Sequence, residues 1–429
     1  MEIPDMDFVY SYIKLYQRSA LCYAFPVIDV LLFDETIRRA YQRPQPVQNA
    51  KVDSAHACIF AFVGLVSSFN LERSTLSTID VLKYAAEAQR LLSKTWQHSA
   101  TLDGLQAYVM LSLLSLLSGY FRSADMLCSI AVRIIFQFGG NVNLPATADS
   151  EPPGPPMVSR ARVQVRDLFW ICYVVDKNLC LRTGRPPLID DDDCDLSLPP
   201  SYLQDEPNTE TPRPHFPNDL RLSIIVSKVY RELYSRRALK KSDVEILRTI
   251  RELDGSLDRW KLSLPTQQRL TIFDSPDLQK INTRYLVLRL EYYQCMTLIH
   301  QASSRCKAWV GGDGGMVEGI SSSMTLSVEA SRSSLLCLEM TQGKLDEIDM
   351  RLILFYPMSA ILTIFFHILL WPSDPRAAED LQLLKQTPVI LEAKVVRRQN
   401  LFSTSPQLQQ VRDFITELSR LAESAIRQR

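Results

Sequence analysis

An all-α fold, a large multi-helix array of packed helical hairpins with essentially no sheet, is predicted by three features of this 429-residue chain. Apolar residues recur at spacings of three and four over most of its length. No run shows strong period-two alternation, so strands are not expected. The connections are punctuated by proline and glycine. With 46% hydrophobic residues the chain can bury a large core, and its length fits roughly two or three domains of about 150 residues, although helical arrays run longer as one unit.

The elements follow in order. Residues 5–41 read as a helix carrying Phe8, Tyr12, Leu15 and Tyr16, an interruption at Pro26, and a second helix. Ala55–Phe69 is a dense apolar helix, and Val81–Trp96 and Leu105–Leu117 follow. Tyr120–Phe138 places Ala124, Leu127, Ile130, Ala131, Ile134 and Ile135 at helical spacing and stops at Gly139-Gly140. Joined at Ser118-Gly119, residues 105–138 form an αα-hairpin in which Ala124 and Ala131 permit close approach. The hairpin looks like one unit of a tetratricopeptide-like stack, but no clean repeat period supports a solenoid. Proline-rich Asn141–Ser159 and Pro199–Pro217 read as loops, and Trp309–Ser323, with five of the fourteen glycines, as a mobile one. Helices are expected at about 219–239, 242–262, 278–304 and Thr325–Gln342. Leu352–Trp371 is about long enough to cross a bilayer. It carries Pro357, Ser359, Thr363 and His367, and no second strong candidate accompanies it, so a buried core helix is expected, with His367 a hydrogen-bonded core residue. Pro406–Arg429 is an amphipathic helix through Val411, Phe414, Ile415, Leu418, Leu421 and Ile426, expected to dock on the bundle rather than pair with another copy.

The most informative stretch is Arg166–Pro200. Val165, Leu168, Phe169, Cys172, Tyr173, Val175 and Leu179 make an apolar helical stripe. The helix ends at Arg182, where a cation meets the negative helix terminus, and at Gly184, which can take the left-handed cap, before Pro186-Pro187 forbid continuation. An acidic run, Asp190–Asp193, and Pro199-Pro200 follow. Asp176 sits on an otherwise largely apolar helix and needs a partner. Arg182 and Arg185 are near in sequence, so a buried Asp176–arginine pair is expected, with Arg185→Ala destabilising the fold.

These residues resemble the signature of the regulatory, or middle homology, domain of fungal zinc-binuclear-cluster transcription factors. There an aromatic pair, a tyrosine and an Asp-Arg/Lys step on a helix lead to L-R-x-G-R-P-P and an acidic loop. The matching residues are Phe169, Trp170, Tyr173, Asp176, Lys177, Leu181, Arg182, Gly184, Arg185, Pro186 and Pro187. Phe25-Pro26-Val27-Ile28 fits the family's opening turn, Asp258-Arg259-Trp260 to Leu264-Pro265 its Trp-containing helix end, and Tyr285, Leu288, Leu290, Tyr292, Tyr293 and Leu298-Ile299-His300 its later helix. The resemblance spans about residues 5–372. It implies a regulatory domain over 1–372, with 373–429 a linker and C-terminal amphipathic helix, and a structural rather than catalytic signature.

Lys+Arg and Asp+Glu both number 48, so no basic nucleic-acid surface is indicated overall. The densest basic cluster, Arg231–Lys241, reads as a solvated helix face before a nuclear-import or phosphate-binding patch. Nine scattered cysteines form no CxxC pair, which suggests a reducing compartment. The N-terminal segment lacks the apolar core of a signal peptide. The zinc cluster's repeated C-x2-C-x6-C spacing is absent, and Cys172, Cys180 and Cys194 are too widely spaced to replace it. No GxSxG, HExxH, GxxxxGK[ST] or GxGxxG motif occurs, and the five histidines lack ligand spacing. The Asp190–Asp193 carboxylates point in different directions and lack a matching acidic helix, so neither a metal nor catalysis is expected.

The expectation is a nuclear transcriptional regulator, not an enzyme, serving a metabolic or secondary-metabolite gene cluster. It would carry no cofactor itself, zinc entering only with a cluster upstream of Met1. Its partners would be other transcription regulators or a second copy, with DNA reached indirectly or through a preceding domain, a small-molecule effector, and no membrane. The alternative is a helical ligand-sensing or scaffold protein without DNA contact, its pocket lined around Phe169-Trp170, Tyr292-Tyr293 and Phe365-Phe366. Ordinary core packing is the simpler reading of those aromatics.

Overall fold

A computed structural model describes residues 1–42, 49–69, 79–143, 156–199, 202, 216–264, 283–307, 314–340, 353, 355–395 and 406–428. The described residues contain fifteen α-helices and no strand, as the periodicity predicts. They group into two compact units, Met1–Ser223 and Ile224–Arg429.

The first unit holds α1 (Met6–Arg18), α2 (Leu21–Ala24), α3 (Val30–Tyr41), α4 (Asn49–Ser68), α5 (Val81–Ser93), α6 (Leu102–Leu117), α7 (Phe121–Gln137) and α8 (Pro156–Thr183). Side-chain N-caps from Asp5, Asp29, Asp80 and Thr101 start α1, α3, α5 and α6. Proline at the first position of α8 lacks only an N–H that would have no helical acceptor. Helix α4 packs against α3, α5 and α6, while α6 and α7 form the predicted hairpin. Gly119 turns that hairpin at φ 78°. Fully buried Ala124 and Ala131 admit the close approach, and Ser112 Oγ donates to the Ala124 carbonyl at 2.8 Å. Asp103, buried in the first turn of α6, accepts from Thr36 Oγ1 at 2.8 Å and pairs with Arg39, tying α3 to α6. Residues 50–68 of α4 are long and apolar enough to cross a bilayer, yet two thirds of their most apolar window is buried within the protein.

The boundary between the units falls within α9 (Leu220–Val229). Helices α10 (Asp243–Ser263), α11 (Thr283–Gln301), α12 (Gly314–Met340), α13 (Phe355–Leu370), α14 (Ala377–Val395) and α15 (Pro406–Arg427) build the second unit. Helix α12 packs on α11, α13 and α14. Helix α15 docks on α13 and α14, as its amphipathic pattern suggests. Helix α13 has 16 residues, short of the roughly 20 that a bilayer requires.

Three expectations are corrected. The glycine-rich stretch is helical from Gly314 onward; 308–313 lie outside the described residues. Its buried residues mix apolar Ile320, Val328, Ala330, Leu335 and Leu338 with Ser323, Ser327, Ser331 and Ser334, and Ile320 is the buried apolar residue of the glycine-rich turns. Two of the serines bond α11: Ser327 Oγ donates to the Thr297 carbonyl at 3.2 Å, and Thr297 Oγ1 meets Ser331 Oγ at 3.2 Å. The helix expected at 219–239 stops at Val229, passes into a π turn over Tyr230–Tyr234, and resumes as a 3-10 turn at Ala238–Lys240. Finally, α14 forms where a linker was read. Its buried residues, Ala377, Asp380, Leu384, Thr387, Pro388 and Ile390, include two polar ones and a proline within the helix, so neither the pattern nor propensity announced it. Residues 144–155, most of Pro199–Pro217, 278–282, Pro265 and 341–342 lie outside the described residues.

Candidate functional site

The signature occupies the C-terminal half of α8 and the chain that folds back from it. Every residue from Leu168 to Cys180 is buried. Phe169, Trp170 and Tyr173 pack ring to ring, with centroids 5.4 to 6.0 Å apart. Trp170 is fully buried, and its indole N–H has no hydrogen-bond partner, so the ring acts through shape. The helix ends as predicted: the Gly184 N–H donates to the Cys180 carbonyl at 2.9 Å, with φ 66° at Gly184.

Asp176 has a partner, but not an arginine. Its two oxygens accept the Leu188 and Ile189 amides at 2.8 and 3.1 Å, and Lys177 Nζ lies 3.3 Å away. Lys177 is almost fully buried. It donates to the Ile189 carbonyl at 2.5 Å, pairs with Asp191 at 3.3 Å, and sits 4.8 Å from the Tyr173 ring centroid. Tyr173 Oη donates to Asp191 at 3.0 Å. Burial raises the Asp176 carboxyl above the usual carboxylate range, against the opposing pull of Lys177 and the two amides. The adjacent acid and base thus grip the backbone just beyond Pro186-Pro187, and the two prolines carry the chain from the helix end into that grip. Arg185, half exposed, instead reaches Asp125 on α7 at 2.8 Å, which corrects the expected Asp176–Arg185 pair. Arg182 is half-buried at the end of α8, and Pro186 is exposed.

The acidic run forms a 3-10 turn at Asp191–Asp193, capped by Asp190, whose carboxylate accepts the Asp192 amide at 3.1 Å. Sequence reasoning missed what holds its far side. Arg166 lies 4.6 Å from the Phe169 ring centroid and donates to the carbonyls of Gly140 at 3.1 Å, Ser197 at 3.3 Å, and Asp195. Burial pulls its pKa down. Asn141 adds two bonds: Nδ2 to the Asp193 carbonyl and its own carbonyl from the Asp195 amide, both 2.9 Å. Arg166 sits one helical turn before Trp170, where a cation on an apolar helix was the only available signal.

The arrangement closes a loop; it does not assemble a nucleophile with a base. Among the described residues no group of three or more His, Cys, Asp or Glu is arranged to hold a metal. Cys172 and Cys180 are buried free thiols. Of the aromatic pairs in the alternative reading, Phe169-Trp170 and Tyr292-Tyr293 are core, with Tyr292 stacked on Trp260 at 6.1 Å, whereas Phe365 is buried and Phe366 is exposed. His367 stands 3.7 Å from Asp380 and 3.9 Å from Asp374, a charged setting rather than a plain core one.

Residues 13–262 match the family model described as the fungal specific transcription factor domain. An ABC-transporter-regulating transcription factor of Aspergillus fumigatus is 37% identical over 238 residues, covering 52% of this chain and 26% of that protein. An Aspergillus oryzae protein of the same description is 35% identical over 237 residues, with the same coverage. The fusaridione A cluster transcription factor of Fusarium heterosporum is 25% identical over 261 residues, covering 59% of this chain and 47% of that protein. The alignments thus reach about a quarter of the length of the Aspergillus relatives. No solved structure matches. The matched residues contain the last part of α1, α2 to α9, almost all of α10 and the whole Asp176–Lys177 latch, and the chain belongs to the fungal-specific transcription factor domain family.

Proposed function

We propose that this chain is the regulatory region of a fungal transcriptional regulator and performs no catalysis. The observation that carries the reading is the signature itself: Asp176, Lys177 and Arg166 spend their bonding capacity on the loop backbone, and the family match covers all three. The domain extends to about residue 372, as the sequence resemblance implies, and 373–429 form a C-terminal extension whose helices α14 and α15 pack on α12 and α13. The protein works in the nucleus, with other transcription regulators or a second copy as partners. It reaches DNA through such a partner or through a zinc-cluster module preceding Met1, and a small-molecule effector adjusts its activity. The names of the relatives, one regulating ABC transporters and one serving the fusaridione A cluster, support a metabolic or secondary-metabolite gene set as the target.

Chromatin immunoprecipitation of the epitope-tagged protein from its own locus tests this. Enrichment at a discrete set of promoters is expected. Uniform background, with the protein excluded from nuclei, would contradict it and favour a scaffold.

A further inference from the structure

Arg231–Lys241 holds five cations and one acid in a chain of zero formal net charge. Two of the five share Glu232, which sits 2.9 Å from Lys241 and 3.3 Å from Arg231 and offsets one of their two charges. Arg236, Arg237 and Lys240 are exposed, and none forms an ion pair with a described residue. The break in α9 presents them. The π turn ends at Tyr234, Ser235 Oγ accepts the Ala238 amide at 3.1 Å, and buried Ala238 pins the 3-10 turn, leaving the cations outward. Leu239 and Val244, beside them in sequence, are more than half exposed.

A further cation belongs to this segment. Arg305 Cζ lies 5.4 Å from the centroid of the Tyr234 ring, and Tyr234 Oη donates to the Leu298 carbonyl at 2.5 Å. Nε of Arg305 reaches the Ala302 carbonyl at 3.4 Å, but its two terminal nitrogens are buried with no hydrogen-bond partner. Those nitrogens are closed to solvent, so Arg305 backs the Tyr234 ring from inside and does not face a partner.

We propose that Arg236, Arg237, Leu239, Lys240 and Val244 form a docking surface for an acidic segment of a partner protein in which carboxylates are interspersed with large apolar side chains. The charge is complementary, and the exposed Leu and Val give the apolar side chains something to cover. A nucleic acid fits less well. A phosphate backbone would leave exposed Leu239 and Val244 uncovered. The surface does not depend on the transcriptional reading.

Fluorescence anisotropy on the full chain tests it, with a labelled peptide of alternating Asp/Glu and Leu/Phe, the same peptide with serine at the apolar positions, and a short duplex DNA as probes. The first peptide should bind and weaken with added salt. The triple variant Arg236→Ala, Arg237→Ala, Lys240→Ala should lose at least roughly tenfold in affinity, with its melting temperature unchanged because the three side chains are exposed. Leu239→Ser with Val244→Ser should weaken the first peptide and leave the serine peptide unaffected. Absence of peptide binding, binding that ignores the triple variant, or DNA binding at least as tight as the peptide's on the same residues would each overturn the proposal.

Discussion

Among the described residues each unit has a buried ion pair, Asp176–Lys177 in the first and Arg332–Asp380 in the second, and the two are built differently. Asp176–Lys177 joins neighbours in sequence at 3.3 Å; Asp176 takes the amides 12 and 13 residues downstream, and Lys177 gives to the carbonyl 12 residues downstream and pairs with Asp191. Arg332–Asp380 joins α12 to α14 across 48 residues in a two-pronged fork of 2.6 and 2.7 Å, with Glu329 2.6 Å from both Arg332 and Arg376. The first pair is loose as an ion pair but saturated by peptide groups, so it fixes a loop. The second is tight and sits between helices, so it fixes packing. Proximity in sequence therefore marks a device that shapes the local chain, whereas separation marks one that holds the unit together.

The sharpest way to break that contrast is Asp380→Ala. It leaves Arg332 buried with only Glu329 and should cost about 3–5 kcal/mol, in the range for breaking a buried pair. Urea unfolding followed by circular dichroism would measure it, and a loss under about 1 kcal/mol would remove the distinction. Asp176→Ala should cost less, about 2–3 kcal/mol, because two amides lose their acceptor while Lys177 keeps Asp191 and the Ile189 carbonyl. Its signature is local: protease should cut near Gly184–Leu188 before the unit melts.

The pH dependence offers a third handle. Burial, reinforced by nearby Asp29 and opposed by Arg166, pushes the Asp167 carboxyl up to about 7. A folded-state value above the unfolded one of about 3.9 gives stability that is full below the unfolded value and is lost as pH rises toward 7. Asp167→Asn should therefore flatten the fall in Tm between mildly acidic and mildly alkaline pH and leave the variant the more stable above neutrality. Parallel pH profiles for the two proteins would contradict this. The smallest effect is expected at Arg185→Ala. Its pair with Asp125 is half exposed, so the loss should stay within about 1 kcal/mol. A larger loss would restore the structural weight that sequence reasoning assigned to Arg185.

What could be read in advance follows the same division. The α8 stripe, the Gly184 cap and the α6–α7 hairpin were legible because each is encoded within a few turns of helix. The need of Asp176 for a partner was legible too. The partner's identity was not, because Lys177 adjoins it on the same helix and reaches it only as both turn toward the returning chain. Arg166 and its carbonyl acceptors at 140, 195 and 197 were invisible, since acceptors of this kind carry no side-chain signal. Residues 314–323 of α12 were read as loop because glycines crowd them, and Asp380, Thr387 and Pro388 hid α14, where packing uses a charge and a hydroxyl beside its apolar side chains.

Hydrogen–deuterium exchange over the peptide containing Leu188 and Ile189, in the wild type and in Asp176→Ala, tests most directly whether the signature is a backbone latch. The account predicts strong protection of those amides in the wild type and its loss in the variant, with the amides of α6 and α7 unchanged. Equal protection in both proteins would show that Asp176 does not hold the loop.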